Sequence, residues 1–358
     1  MANIVVVGIN HKMAPIEIRE KFYLSGTERE LLLSQLKNDP AVLEAFVLST
    51  CNRSEVYASM IASSCEVLWE ALLRVKKLFF ATGLKKYFYF YHQEEAVHHI
   101  LRVAAGLDSL VLGEKQILAQ IKDAFDLSYH KGMMGRTFNI LTNFVLQTGR
   151  KARRETEIDH GGVSISWAAV AIAQETLGTL QNKAVLILGS GKMSSLAVTH
   201  LKQKGVGRVL VMNRTLSKAV ELAQCCQGTA MPFWRIKEVL ETVDVCICST
   251  GSPHYLIDRD LVEKVMSSRP QRQLVCVDIS VPRNIAPAVA SIKNTFLFSV
   301  DDLDKAVEGN IKKRLLSIDG VERIIEDKVE EFYQTLQRRH KPHEKNPSQP
   351  HQMEVIYA

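Results

Sequence analysis

The chain has 358 residues, enough for two to three domains at ~150 residues each. Hydrophobic residues make up 46% and charged residues 23%, which excludes a chain that is mainly disordered. Forty-five Lys plus Arg against 39 Asp plus Glu leave a net charge of +6, which permits an anionic partner such as a nucleotide or RNA without demanding one.

No apolar run reaches the ~18 residues of a membrane helix, so no membrane association is expected. MANIVVVGINHK reads as a first strand, not a signal peptide. The seven cysteines are odd in number and scattered, which argues against a disulfide framework and for a reducing, cytoplasmic setting. Cys246 and Cys248 have the wrong spacing for a Cys-x-x-Cys pair and sit in the strand-like VDVCICST; a structural role and no metal are expected.

The first block, residues 1–155, alternates strands and helices. Ile4–Ile9, Ala45–Ser49 and Glu55–Met60 read as strands. Thr27–Lys37, Cys65–Phe80, Gln93–Ala105, Glu114–Lys131 and Asn139–Glu157 carry helical patterns. The last turns basic at Arg150, Lys151, Arg153 and Arg154, a stretch suited either to phosphates or to a solvated face. The second block, 156–300, begins with an alanine-rich helix at Val163–Leu177. Strands Lys183–Leu188, Arg208–Met212, Val243–Ser249 and Leu274–Ile279 follow, with helices at Met193–Lys204 and Ser217–Gln224. This order predicts an α/β fold with a parallel, Rossmann-like sheet. Residues 301–340 predict a long helix, or two broken at Gly320, and 341–358 a disordered polar tail.

AVLILGSGKMSSLAVTHL reads as strand, tight glycine turn and helix. Gly189 allows the turn, and Gly191 lets the backbone approach a pyrophosphate at the helix N-terminus. Gly189, Ser190, Gly191, Lys192, Met193 and Ser194 are therefore candidate cofactor residues, with Ser194 in place of the third glycine of G-x-G-x-x-G. The second strand ends in Asn213, Arg214 and Thr215. No acid stands there for ribose hydroxyls, and a cation stands where a 2′-phosphate would lie, so NADPH is expected over NADH. Thr250, Gly251 and Asp278–Pro282 are expected to line the same crevice.

Ser49-Thr50-Cys51-Asn52-Arg53 ends a strand. A cysteine two residues from a guanidinium is placed to hold a thiolate, although most free cysteines are buried structural residues. His98 and His99 are adjacent on a helix and point ~100° apart, so one of them faces outward or into a cleft. Glu114, Gln116 and Gln120 are polar positions at an otherwise apolar helix start. A thiol nucleophile with an NADPH domain suggests formation of a thioester and its reduction to an aldehyde.

STCNR, GLDSLVLGEKQIL and LGSGKM occur in this order, together with GINHKMAPIEIRE, GRKARRETEI, VMNRT and DISVPRNIAP. In these motifs the chain resembles the glutamyl-tRNA reductase family over nearly its whole length. The resemblance implies NADPH-dependent reduction of glutamyl-tRNA(Glu) to glutamate-1-semialdehyde, the first step of five-carbon tetrapyrrole biosynthesis. It implies Cys51 as nucleophile and His99 as an aid to acyl transfer. Ser49, Thr50, Asn52, Arg53, Ser109, Glu114, Lys115, Gln116 and Gln120 would hold the glutamyl group. Arg53 would clamp the side-chain carboxylate, and Glu114 would accept the α-ammonium. The unstable aldehyde suggests hand-over to glutamate-1-semialdehyde aminotransferase.

The chain departs from the family's pattern at Lys115, where Pro is usual, at Ala119, where a smaller residue is usual, and at Ser194. The resemblance implies a homodimer joined through a further helical domain; with one long helix before the tail, either that dimer is not formed or it is made by a reduced interface. Two other readings stand beside this one. A quinate/shikimate-type NADP dehydrogenase explains residues past 160 but leaves Cys51 idle. A non-catalytic relative would bind tRNA, haem or a partner without turnover.

Overall fold

A computed structural model describes residues 3–61, 64–78, 82–156, 158, 164–303 and 311–340. The readings made for Val163 and for the tail 341–358 lie outside the described residues. The first half is built on an antiparallel sheet of β1 (Asn3–Asn10), β2 (Val42–Ser49), β3 (Arg53–Met60) and β4 (Tyr89–His92), in the order β2-β3-β1-β4. Its helices are α1 (Ile16–Phe22), α2 (Gly26–Lys37), α3 (Glu66–Lys76), α4 (Gln93–Ala105), α5 (Gln116–His130) and α6 (Arg136–Glu155). Both α1 and β4 are absent from the sequence reading, because seven- and four-residue elements are too short for a period to show.

Both faces of this sheet are covered, which is why β1 reads as a continuous apolar run. Ile4, Val6, Phe46, Leu48 and Tyr57 form one core with α4, α5 and α6. Val5, Val7, Ile9, Val47 and Val56 form another with Phe22, Leu32, Leu36, Leu68 and Leu72 of α1–α3.

The second half begins with α7 (Ile165–Leu177) and carries a six-stranded parallel sheet. Its strands are β5 (Ala184–Leu188), β6 (Arg208–Asn213), β7 (Thr229–Pro232), β8 (Val245–Cys248), β9 (Leu274–Asp278) and β10 (Thr295–Ser299). The order is β10-β9-β8-β5-β6-β7. Helices α8 (Lys192–Gln203), α9 (Leu216–Cys226), α10 (Ile236–Thr242) and α11 (Arg259–Ser268) connect the strands. The order reverses at β5, which pairs with β6 on one side and β8 on the other, so a crevice opens at their carboxyl ends. All seven cysteines are free, and Cys246, Cys248 and Cys276 are fully buried in β8 and β9.

The last element, α12 (Ile311–His340), runs unbroken through Gly320. Val321, Ile325, Val329, Phe332 and Leu336 recur on one helical face and pack into the core of the first half. Among the described residues, no helix is long and apolar enough to cross a membrane.

Candidate active site

The turn between β2 and β3 carries Thr50, Cys51 and Asn52 and is pinned by its own backbone. Thr50 N–H donates to the Arg53 carbonyl at 2.8 Å, and Asn52 N–H donates to Thr50 Oγ1 at 3.2 Å. Ser49 Oγ accepts from Leu24 N–H and lies 2.9 Å from Ser54 Oγ, so Ser49 faces the fold and not an opening. Half-buried Cys51 packs against the core of the second half, and its carbonyl accepts from Arg19 Nη1 at 2.7 Å. Arg19 also pairs with Asp301, beyond β10.

The expectation that Arg53 stabilises a thiolate is corrected. Burial pushes the Cys51 thiol up to about 12; the Glu114 carboxylate adds to this, and Arg19 and Arg53 only partly oppose it. Arg53 is itself neutralised. Its Nη1 lies 2.8 Å from Glu55 Oε1 and 2.9 Å from Asp108 Oδ2, and its Nη2 donates to the Asp108 carbonyl. With its side chain 1% exposed, Arg53 braces the turn against the loop that follows α4, and a free clamp for a substrate carboxylate does not fit this arrangement.

Glu55, which the sequence reading missed, is the centre of the network. It is fully buried and accepts from Tyr57 Oη at 2.7 Å, Tyr89 Oη at 2.5 Å and His99 Nε2 at 2.9 Å, besides Arg53. Burial raises its carboxyl, but Arg53 and His99 outweigh this and hold it at about 2. Its signal was present in the chain: Arg53, Glu55 and Tyr57 alternate along β3 and share a face. Asp108 is the second missed acid. Burial raises it, yet Arg53 and Lys12 hold it well below the carboxylate range. His11 N–H donates to the Asn52 carbonyl, and burial and Arg53 push its ring down to about 4. The buried atoms His11 Nδ1 and Asn52 Oδ1 have no hydrogen-bond partner among the described residues, an arrangement that a polar ligand would complete.

His99 is the buried member of the histidine pair. Together with His98 it lines a cavity of about 570 Å³ that also takes in Lys12, Tyr89, Tyr91 and Asp108. Gly106 and Gly113, both at positive φ, meet backbone to backbone and close the loop between α4 and α5. Ser109 is buried in that loop. Helix α5 starts at Gln116, two residues later than expected, which leaves Glu114 in the loop near the thiol. Burial raises Glu114 to about 7. Gln116 and Gln120 are half-buried one turn apart, and Lys115 is exposed. The basic stretch divides: Arg150 is exposed, while Arg153 turns inward to the carbonyls of Ala104 and Glu114.

In the second half, a cavity of about 910 Å³ is lined by Gly189, Ser190, Gly191, Asn213, Arg214 and Thr215, all six expected, and by Thr250 and Gly251. Gly189 has φ +111, and a Cβ there would stand 2.0 Å from the Ser249 carbonyl oxygen. Around Gly191 a Cβ would meet nothing within 4 Å, so the α8 N-terminus is open to a phosphate. Arg214 and Lys218 supply cations. These features fit a dinucleotide.

Lys192, Met193 and Ser194 do not line this cavity, whereas Ser195 does. The Met193 carbonyl accepts from Ser166 on α7, and Ser194 is fully buried, filling the tight helix–sheet contact that glycine usually makes. Asp278–Pro282 are also absent from the lining. Asp278 is buried and accepts the backbone N–H groups of Ser280, Asn284 and Ile285.

Residues 7–156 match a family model described as the N-terminal domain of glutamyl-tRNA(Glu) reductase, and residues 171–306 match one described as shikimate/quinate 5-dehydrogenase. The glutamyl-tRNA reductase of Bacillus pumilus is 39% identical over 341 residues, covering 93% of this chain and 74% of that protein. The one from Carboxydothermus hydrogenoformans is 40% identical over 331 residues, covering 92% and 73%. Among solved structures, glutamyl-tRNA reductase from Methanopyrus kandleri is 32% identical, with a TM-score of 0.54 over 95% of this chain and 82% of that one.

Proposed function

The chain belongs to the glutamyl-tRNA reductase family, and on that footing we propose that it reduces glutamyl-tRNA(Glu) to glutamate-1-semialdehyde with NADPH, through a thioester on Cys51. Residues 1–155 serve as the catalytic domain, 156–300 as the NADPH domain and 301–340 as a C-terminal helical region. One observation supports the reading: the Cys51 turn packs against the core of the nucleotide-binding half, as bringing a thioester to a hydride source requires.

In the acyl step the Cys51 sulfur attacks the ester carbonyl carbon, the C–O bond breaks, and tRNA leaves as the hydroxyl with a proton. Glu114, raised to about 7 beside the thiol, accepts the substrate ammonium; His99, held by Glu55, lines the cavity of the first half. Gly189–Gly191 and Arg214 would hold NADPH, which would supply the hydride for the thioester carbon. The C–S bond then breaks with its electron pair on the Cys51 sulfur, which takes up a proton as the aldehyde is released. The unpartnered His11 Nδ1 and Asn52 Oδ1 support a polar acyl group at this turn.

Single turnover with glutamyl-tRNA tests this reading. The wild type should yield semialdehyde with NADPH and release tRNA, with a covalent glutamyl adduct on Cys51, without it. Cys51→Ala should do neither; equal turnover by this variant would exclude the thioester.

A further inference from the structure

We propose that Arg283 is a positioning residue that registers the Cys51 thioester against the nicotinamide site by gripping Glu17 and Glu20 of α1; this rests on the function proposed above. The segment that follows β9 is held rigid by the buried Asp278 carboxylate, which accepts the N–H groups of Ser280 at 3.0 Å, Asn284 at 2.6 Å and Ile285 at 2.8 Å.

Two consecutive residues of this segment reach in different directions. Asn284 is fully buried; its Nδ2 donates to the carbonyls of Ser252 at 2.8 Å and His254 at 3.2 Å, and its Oδ1 accepts from Thr250 Oγ1. Thr250 and Ser252 line the nucleotide cavity. Arg283 instead holds Glu20 in a two-point pair, Nε at 3.1 Å and Nη2 at 2.8 Å, and meets Glu17 through Nη1 at 2.8 Å. Its side chain is 10% exposed and that of Glu20 is 19%, so this is not a loosely solvated surface pair.

Helix α1 completes the linkage, because its Arg19 holds the Cys51 carbonyl. One peptide unit thus joins the wall of the cofactor cavity to the helix that holds the nucleophile's turn. Acyl transfer uses only groups of the first half. Hydride transfer needs reacting atoms from both halves within ~3–3.5 Å, and a misplacement of ~1 Å costs up to ~100-fold. The pair therefore acts on reduction and not on thioester formation.

The test is single turnover by Arg283→Met and Glu20→Gln, with the product divided into semialdehyde and free glutamate. Thioester formation without NADPH should stay within about twofold of wild type, while the semialdehyde yield with NADPH falls about tenfold or more and glutamate rises to match. The reciprocal pair Arg283→Glu with Glu20→Arg should recover part of the yield. An unchanged product ratio in both single variants overturns the proposal, as does a fall of both steps by the same factor. If Arg283→Met does not fold, the ratio in Glu20→Gln decides. A wild type that forms no Cys51 adduct would refute the proposed function instead, a result distinguishable from these.

Discussion

Replacing Glu55 with Gln keeps the shape of the site and removes the charge on which four side chains converge. The carboxyl's fall from its ordinary 4.5 to about 2 corresponds to about 3 kcal/mol of folding stability at ~1.4 kcal/mol per pH unit. Breaking a buried pair by removing one partner costs ~3–5 kcal/mol, and Asp108 remains to compensate Arg53, which places the loss at the lower end. At pH 7 Glu55→Gln should therefore unfold about 3 kcal/mol more easily in urea. Because the folded carboxyl ionises below its unfolded range, its stabilisation is complete above about pH 4.5 and is lost as the pH falls toward 2. The gap between wild type and variant should close across that window. Denaturant melts at pH 7 and at successively lower pH measure both effects. A loss below about 1 kcal/mol at pH 7, or a gap unchanged by acid, would refute the network's role.

Three further outcomes follow from the two sites. Removing the Glu114 charge takes a raising influence off the Cys51 thiol, so Glu114→Gln should speed alkylation of Cys51 by iodoacetamide at pH 8. The same substitution should stabilise the fold at that pH, because a carboxyl raised to about 7 loses stability as the pH climbs from about 4.5 through 7; melts at pH 5 and pH 8 check the sign. Arg214→Asp should cut the preference for NADPH over NADH about tenfold or more, measured as the ratio of kcat/KM values.

The sequence by itself determined the parts whose physics is local. Apolar runs alternating with 3.6-period helices specified the parallel sheet, because β5, β6, β8 and β9 are buried on both sides; the edge strand β7 has no fully buried residue and left no such run. The glycine turn at Gly189 was legible because a positive φ admits little else. Ser194, read as a cofactor residue in the third-glycine position, is instead fully buried and away from the cavity lining. Tertiary structure decided the electrostatics. Arg53 looked like a free cation in STCNR, but Asp108, 55 residues away, neutralises it, and Glu55 acts only because β3, β4 and α4 bring Tyr57, Tyr89 and His99 to one point. Arg283 finds Glu20 across 263 residues. A charge's effect depends on what surrounds it within a few ångströms; for Arg53 and Glu55 that neighbourhood exists only once the first half has folded, and for Arg283 only once the two halves have met.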